Sequence, residues 1–212
     1  MKAFDDIALE WDAANRKPRA TLALLLPLVP KNGFFVDAGC GNGRNIPLLA
    51  ARASHVYAFD SSAKLLEYAE RHASGKVTVA KASFDKIALA DGVADALFCL
   101  NAFHHLRTPA ARRRALAEFK RVLAPGGALL LSVWNYDQAR FDKLEGKKDA
   151  LVQFTRRDGV KVGRFYHFFT EEELAGLARE TGFGGIRTFF ELNGEECAKR
   201  GAYNLCLAAK AF

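Results

Sequence analysis

Apolar residues in this chain come in short, nearly unbroken runs alternating with stretches in which apolar positions recur every three or four residues. The runs at 34–38, 55–60, 77–81, 94–100 and 128–134 are too short for buried helices and carry the β-branched and aromatic residues that pack in sheets. The periodic stretches at 45–53, 63–73 and 110–123 read as helices with one face turned to a core. A further helix is expected over 21–28, stopped near Pro30. Another spans 171–181, where Thr170 supplies an N-cap oxygen, acids occupy the first turn and Gly182 ends the helix. Two strands, 183–192 and 203–209, close the chain. Strand–helix alternation predicts an α/β fold with a parallel sheet covered on both faces. With no repeat and no low-complexity linker, one domain over 1–212 is expected. The remaining stretch, 135–169, is too long for an ordinary loop and is expected to be a functional insertion beside the substrate site.

The chemistry concentrates where strands end. After the first strand the chain reads Asp37-Ala38-Gly39-Cys40-Gly41-Asn42-Gly43, and the second strand closes on Asp60. Glycines let the backbone turn sharply and approach a ligand, while an acid after the next strand can accept hydrogen bonds from ribose hydroxyls. A dinucleotide loop would place its third glycine three residues beyond the second. Here the glycines alternate. With Asp60 and the turn Pro125-Gly126-Gly127 before the fifth strand, this pattern resembles the class I methyltransferases. The resemblance implies a Rossmann-like, mostly parallel seven-stranded sheet and S-adenosylmethionine as cofactor. It also implies a cofactor site drawn from Asp37, Gly39, Cys40, Gly41, Asn42, Asp60, Ser61, Ala82, Ser83 and Asn101. One departure is Lys81-Ala82-Ser83, where the family often has an acid for the adenine amino group; Ala82, Ser83 or Asp85 would then meet adenine.

Composition narrows the setting. The 212 residues are half hydrophobic, and no apolar run reaches the ~20 residues that cross a bilayer, so a cytoplasmic protein without membrane attachment is expected. Cys40, Cys99, Cys197 and Cys206 form no Cys-x-x-Cys pair; buried thiols are expected, and no metal site. The net charge of +7, with basic clusters at 112–114, 120–121, 143, 147–148, 156–157 and 161, suits a polyanionic partner, although basic helix faces are commonly just solvated.

Four further segments bear on the acceptor: Asn15-Arg16-Lys17-Pro18, residues 133–140 beginning Val133-Trp134-Asn135-Tyr136, Arg164-Phe165-Tyr166-His167-Phe168-Phe169, and Ala202-Tyr203-Asn204-Leu205. Together they resemble the tRNA wobble-uridine carboxymethyl methyltransferases, which include the methyltransferase domain of an AlkB-type homologue. In place of that family's Trp after the early proline, Arg19 stands here. The resemblance implies tRNA as substrate and a small zinc-binding activator subunit docked along a sheet edge. Transfer would esterify the carboxylate of 5-carboxymethyluridine, a nucleophile already ionised at neutral pH. Arg16 or Arg164 would fork the carboxylate, Trp134, Tyr166 or His167 would stack on the uracil, and His104, ahead of His105, would orient the acceptor, with Asn204 nearby. Two rivals remain open: a small-molecule methyltransferase of the same fold, and a non-catalytic subunit that only binds RNA or protein.

Overall fold

A computed structural model describes residues 2–138, 141, 144 and 146–212; Ala139, Arg140 and Lys143, which belong to stretches singled out above, lie outside the described residues. The chain opens with two short helices, α1 (Lys2–Asp6) and α2 (Ala8–Ala14), followed by α3 (Leu22–Leu25). Then come β1 (Phe34–Ala38), α4 (Ile46–Ala50), β2 (His55–Asp60), α5 (Ala63–Ala69), β3 (Val77–Lys81) and β4 (Ala94–Leu100). The second half holds α6 (Pro109–Val122), β5 (Leu123–Trp134), β6 (Asp149–Thr155), β7 (Lys161–His167), α7 (Glu171–Glu180), β8 (Phe183–Leu192), β9 (Glu195–Cys197) and β10 (Asn204–Ala211).

The main sheet runs in the order β3-β2-β1-β4-β5-β10-β8-β9. The first five strands pair in parallel, and β10 is antiparallel to both β5 and β8. This is the expected Rossmann-like sheet with one strand more than the seven expected. The extra strand, β9, folds back on β8 through Asn193-Gly194, both with positive φ, the conformation of a tight two-residue hairpin turn.

Both faces of the sheet are covered. On one, Val36, Phe59, Leu97 and Leu131 pack under Phe119 of α6 and Leu174 and Leu177 of α7. On the other, Phe35, Phe98 and Leu130 pack under Leu25 of α3, Leu49 of α4 and Leu66 of α5. Buried on two faces, the central strands need no polar alternation, which is why they read as continuous apolar runs.

The 135–169 stretch is not irregular throughout. Its second part is an antiparallel hairpin, β6 paired with β7 from Asp149 opposite His167 to Thr155 opposite Lys161. Beneath it Trp134, Phe141, Tyr166 and Phe168 form a separate aromatic cluster. Among the described residues no helix is long and apolar enough to cross a membrane, and no cluster of His, Cys, Asp and Glu is arranged to hold a metal. All four cysteines are free thiols, three of them buried.

Candidate cofactor and acceptor site

β1 ends at Ala38 and the chain turns through the alternating glycines. Gly39 has φ +75°, and a Cβ on it would lie 2.6 Å from the Ala102 Cβ, so a side chain there would drive apart the turns after β1 and β4. The amides of Gly39 and Cys40 both donate to the Phe59 carbonyl, at 2.8 and 3.0 Å, which lays the turn across the end of β2. Gly41, also at positive φ, has no neighbour closer than 3.9 Å to its would-be Cβ and leaves its backbone open to a cavity of about 390 Å³. That volume is in the range of ligand pockets, about 300–1,000 Å³.

Asp60 closes this cavity. Its Oδ2 accepts from the Gly41 amide and its Oδ1 from the Ser62 amide, both at 2.9 Å. Burial pushes its carboxyl up and these amides pull it down, with a net upward direction. Asp37, buried at the end of β1, is pushed up to about 7, by burial first and then by neighbouring Asp60. Its Oδ2, the Ser61 Oγ and the Asn101 Nδ2 are buried with no hydrogen-bond partner among the described residues. Buried polar atoms in native folds are almost always paired. Two of these orphans, on Ser61 and Asn101, line the cavity, where they fit a ligand that brings hydroxyl and carboxylate groups; Asp37 is not part of its lining. Asn101 adopts φ +54° after β4, its Oδ1 accepting from Ser132 at 2.8 Å.

Cys40, Asn42, Ala82 and Ser83 line the same cavity. The Asn42 amide is engaged elsewhere: it donates at 2.9 Å to Asp12 and to the Asn15 carbonyl, tying α2 to the glycine loop. Ser83 donates to Asp85 at 2.8 Å, so the two polar side chains expected near adenine face each other.

A second cavity of about 400 Å³ adjoins the first, with Trp11, Arg19 and Arg44 lining both. Trp134 from β5, Arg164 from β7 and Asn204 from β10 reach it from three elements. The Arg164 guanidinium lies 5.3 Å from the Trp11 ring, 5.4 Å from Tyr166, 5.5 Å from Phe154 and 6.0 Å from Trp134, a cation enclosed by π faces. Asn204 acts as a clamp: its amide donates to Glu191 Oε2 at 2.6 Å and to Thr21 at 3.2 Å.

Four of the residues expected at the acceptor lie outside both cavities. Arg16 has a mostly exposed side chain and turns to Asp12 at 3.5 Å. Tyr166 is buried, stacked on Trp134 at 4.3 Å and on His104 at 4.8 Å. His104 is buried, its Nδ1 accepting from the Trp134 amide at 3.2 Å. His167, on the other face of β7, is held between Asp149 (2.6 Å) and Glu173 (2.7 Å). His105 lines the first cavity instead. Its Nδ1 donates to the Phe165 carbonyl at 2.7 Å, leaving Nε2 as the acceptor, and burial pushes its pKa down to about 4, so it is neutral at pH 7. Sequence reasoning gave no site role to Trp11, Arg19 or Arg44. Arg44 follows the last loop glycine directly, and Arg19 follows the Asn15–Pro18 segment, so adjacency to two recognised motifs was the available signal.

Residues 36–131 match the family model described as a methyltransferase domain. Over that stretch the chain carries a methyltransferase domain, and its fold is that of the class I S-adenosylmethionine-dependent methyltransferases. A protein of Encephalitozoon cuniculi, itself only inferred to be a methyltransferase, is 29% identical over 85% of this chain and 84% of its own length. The tRNA (carboxymethyluridine(34)-5-O)-methyltransferase ALKBH8 of Mus musculus is 28% identical over 65% of this chain, a match spanning only 20% of the mouse protein. Among solved structures, a chain from the complex of the Haloferax volcanii Trm112 methyltransferase activator with a methyltransferase aligns at TM-score 0.74 and 16% identity, over 99% of this chain and 96% of that one. The DhpI complex with S-adenosylmethionine aligns at 0.74 and 20% identity, over 98% and 94%. S-Adenosylmethionine is the cofactor of this methyltransferase domain, and the fold is that of the class I enzymes.

Proposed function

We propose that this methyltransferase esterifies the carboxylate of 5-carboxymethyluridine at the wobble position of tRNA, as one catalytic unit over 1–212. The observation that carries the reading is the second cavity: arginine and tryptophan side chains, suited to a carboxylate and an unstacked base, open directly onto the cofactor cavity. The relatives named for this reaction support it.

In the cofactor cavity Asp60 would take the ribose hydroxyls, and Ser61 and Asn101 would pair the remaining polar ends, with Asp37 supporting the glycine loop from the end of β1. Ala82 and Ser83 would face the adenine. Bound S-adenosylmethionine supplies an electrophilic methyl group. The protein's task is alignment, because the acceptor carboxylate is ionised near neutral pH without a base. Neutral His105, with Nε2 as acceptor, is suited to orienting rather than charging the site. Alignment of this kind contributes about 7–11 kcal/mol in well-oriented intramolecular reactions.

An activator subunit belongs to the same reading, supported by the Trm112-bound structural neighbour. It would add a strand to a free sheet edge. Of the two edges, β9 is three residues long and carries Glu195 and Glu196, features that discourage pairing, which leaves β3. A cytoplasmic heterodimer follows. The deciding experiment incubates the protein with S-adenosylmethionine and carboxymethyluridine-containing tRNA, with and without activator, and identifies nucleosides by mass. The methyl ester is expected; its absence with activator present would sink the reading and favour a small-molecule acceptor.

A further inference from the structure

We infer that Arg19 and Arg44 are the specificity-determining pair of the acceptor site, an oxyanion cradle where the two cavities meet. The inference rests on the second cavity being the acceptor site, as proposed above. Both arginines line both cavities. Arg19 is held through its backbone and Arg44 through a neutral amide oxygen, so neither tie neutralises a charge. The Arg19 amide donates to Asn45 Oδ1 at 3.0 Å, and Arg44 Nη1 donates to Asn15 Oδ1 at 3.1 Å, so the segment before α3 and the segment after the glycine loop are cross-linked and both arginines are held at the junction of the two cavities. Each lowers its own charge affinity by burial, and Arg44 further depresses Arg19, to about 9. Both still carry charge at pH 7.

Among the described residues neither has a carboxylate within ion-pair distance, whereas Arg16, Arg71, Arg112 and Arg121 each do. The acid at the same cavity, Glu191, accepts from Thr21, Asn204 and the Gly194 amide. Glu191 and Asp37 act on the two arginines only from beyond ion-pair contact, so two like charges in a partly dry cavity are incompletely compensated, and an incoming oxyanion relieves that cost. A planar guanidinium pair also matches carboxylate or phosphate geometry. The carboxylate or phosphate of the acceptor is the ligand chemistry implied.

The two tryptophans of the chain, Trp11 and Trp134, both line the second cavity, so quenching of intrinsic fluorescence reports on it directly. With S-adenosylhomocysteine present, the protein is titrated with 5-carboxymethyluridine, its methyl ester, uridine and uridine monophosphate. The acid is expected to bind at least ~10-fold more tightly than the ester, a difference that Arg19→Gln and Arg44→Gln erase, Arg19→Lys partly keeps and the remote Arg113→Gln leaves intact. Preference for the monophosphate over the acid would assign the cradle to a phosphate. Equal binding of acid, monophosphate and neutral ligands, absence of anion binding, or unchanged discrimination in the variants would overturn the inference. So would parallel loss of S-adenosylhomocysteine affinity, which would assign the arginines to the cofactor carboxylate. Anion selectivity that depends on Arg19 without ester formation on tRNA would leave the inference standing and remove the tRNA reading; ester formation that Arg19→Gln does not affect would do the reverse.

Discussion

Asp37 shows how a single position couples stability to the cofactor site. The sequence marks it as the acid that opens the glycine loop, and the fold buries it at the end of β1 with one carboxyl oxygen unpaired. Its folded pKa of about 7 is raised above the unfolded value near ~3.9, so the native state holds a proton that the unfolded chain releases. Stability from this group is therefore greatest below the unfolded pKa, falls as pH rises toward 7 and is level above. Asp37→Asn removes the ionisation at nearly constant volume. The variant's unfolding free energy relative to the parent, measured by denaturant titration, should rise progressively between about pH 4 and 7, by at most about 1.4 kcal/mol per pH unit. A difference independent of pH would show that Asp37 ionises freely in the fold.

The N-terminal helices form the wall of the cofactor cavity through Phe4 and Trp11, and buried polar ties hold them there. Asp12 of α2 accepts from Asn42 at 2.9 Å and pairs with Arg71 at 2.6 Å; Asp5 of α1 accepts from Ser62 at 2.7 Å. Burial alone would raise the Asp12 carboxyl, but hydrogen bonds from Arg71 and Asn42 outweigh it and hold it below its ordinary value. Its contribution is thus present above the unfolded pKa and lost as pH falls through the folded one. Asp12→Ala removes the one carboxylate that Asn42 and Arg71 share, leaving Asn42 only the Asn15 carbonyl, at about 1–3 kcal/mol for the buried hydrogen bond lost. S-Adenosylhomocysteine affinity, measured by calorimetry, should drop about tenfold or more; unchanged affinity would mean the helices are not needed to complete the cavity.

These same elements mark the limit of what the chain discloses in advance. β1, β2 and β4 occupy the ranges their apolar runs predicted, because strands buried on both faces carry an unambiguous signal; β3 and β8 match as well, although they are only partly buried. β5 begins at Leu123, five residues early, since one bridge to Ala94 precedes the irregularity around Pro125–Gly127. α1 and α2 are too short to show a stable period and owe their form to contacts far away in sequence. β6 has one half-buried face and an outward Leu151, so its alternation is blurred. In the candidate site, the carboxylate and glycines at strand ends were legible because backbone geometry demands them. Which histidine of the pair faces the cavity was not, because it depends on a single turn after β4 and on the β7 carbonyl that Nδ1 reaches.

At the scale of the molecule, the net charge of +7 matters only where it is not already spent on internal pairs. The cluster 112–114 is largely spent: Arg112 is buried against Asp149 and Glu173, Arg113 pairs with Glu180 and Arg114 with Asp85. On the β6–β7 hairpin, by contrast, Arg157 and Lys161 are exposed and no carboxylate lies within ion-pair distance of either among the described residues. The hairpin also delivers Phe154 and Arg164 to the second cavity, and the Arg157 amide rests on Glu10 of α2 at 3.4 Å. A polyanion lying along the hairpin would therefore run toward the proposed acceptor site. Each phosphate neutralised contributes about 0.7–0.9 to the slope of log affinity against log salt. Arg157→Gln with Lys161→Gln should then lower the salt slope of tRNA binding by about 1.4–1.8 and weaken binding at low salt, whereas Arg113→Gln should change neither. Filter binding across a salt series measures both quantities. Equal slopes in the hairpin variant and the parent would place the polyanion on another face and leave the hairpin as a wall of the cavity alone.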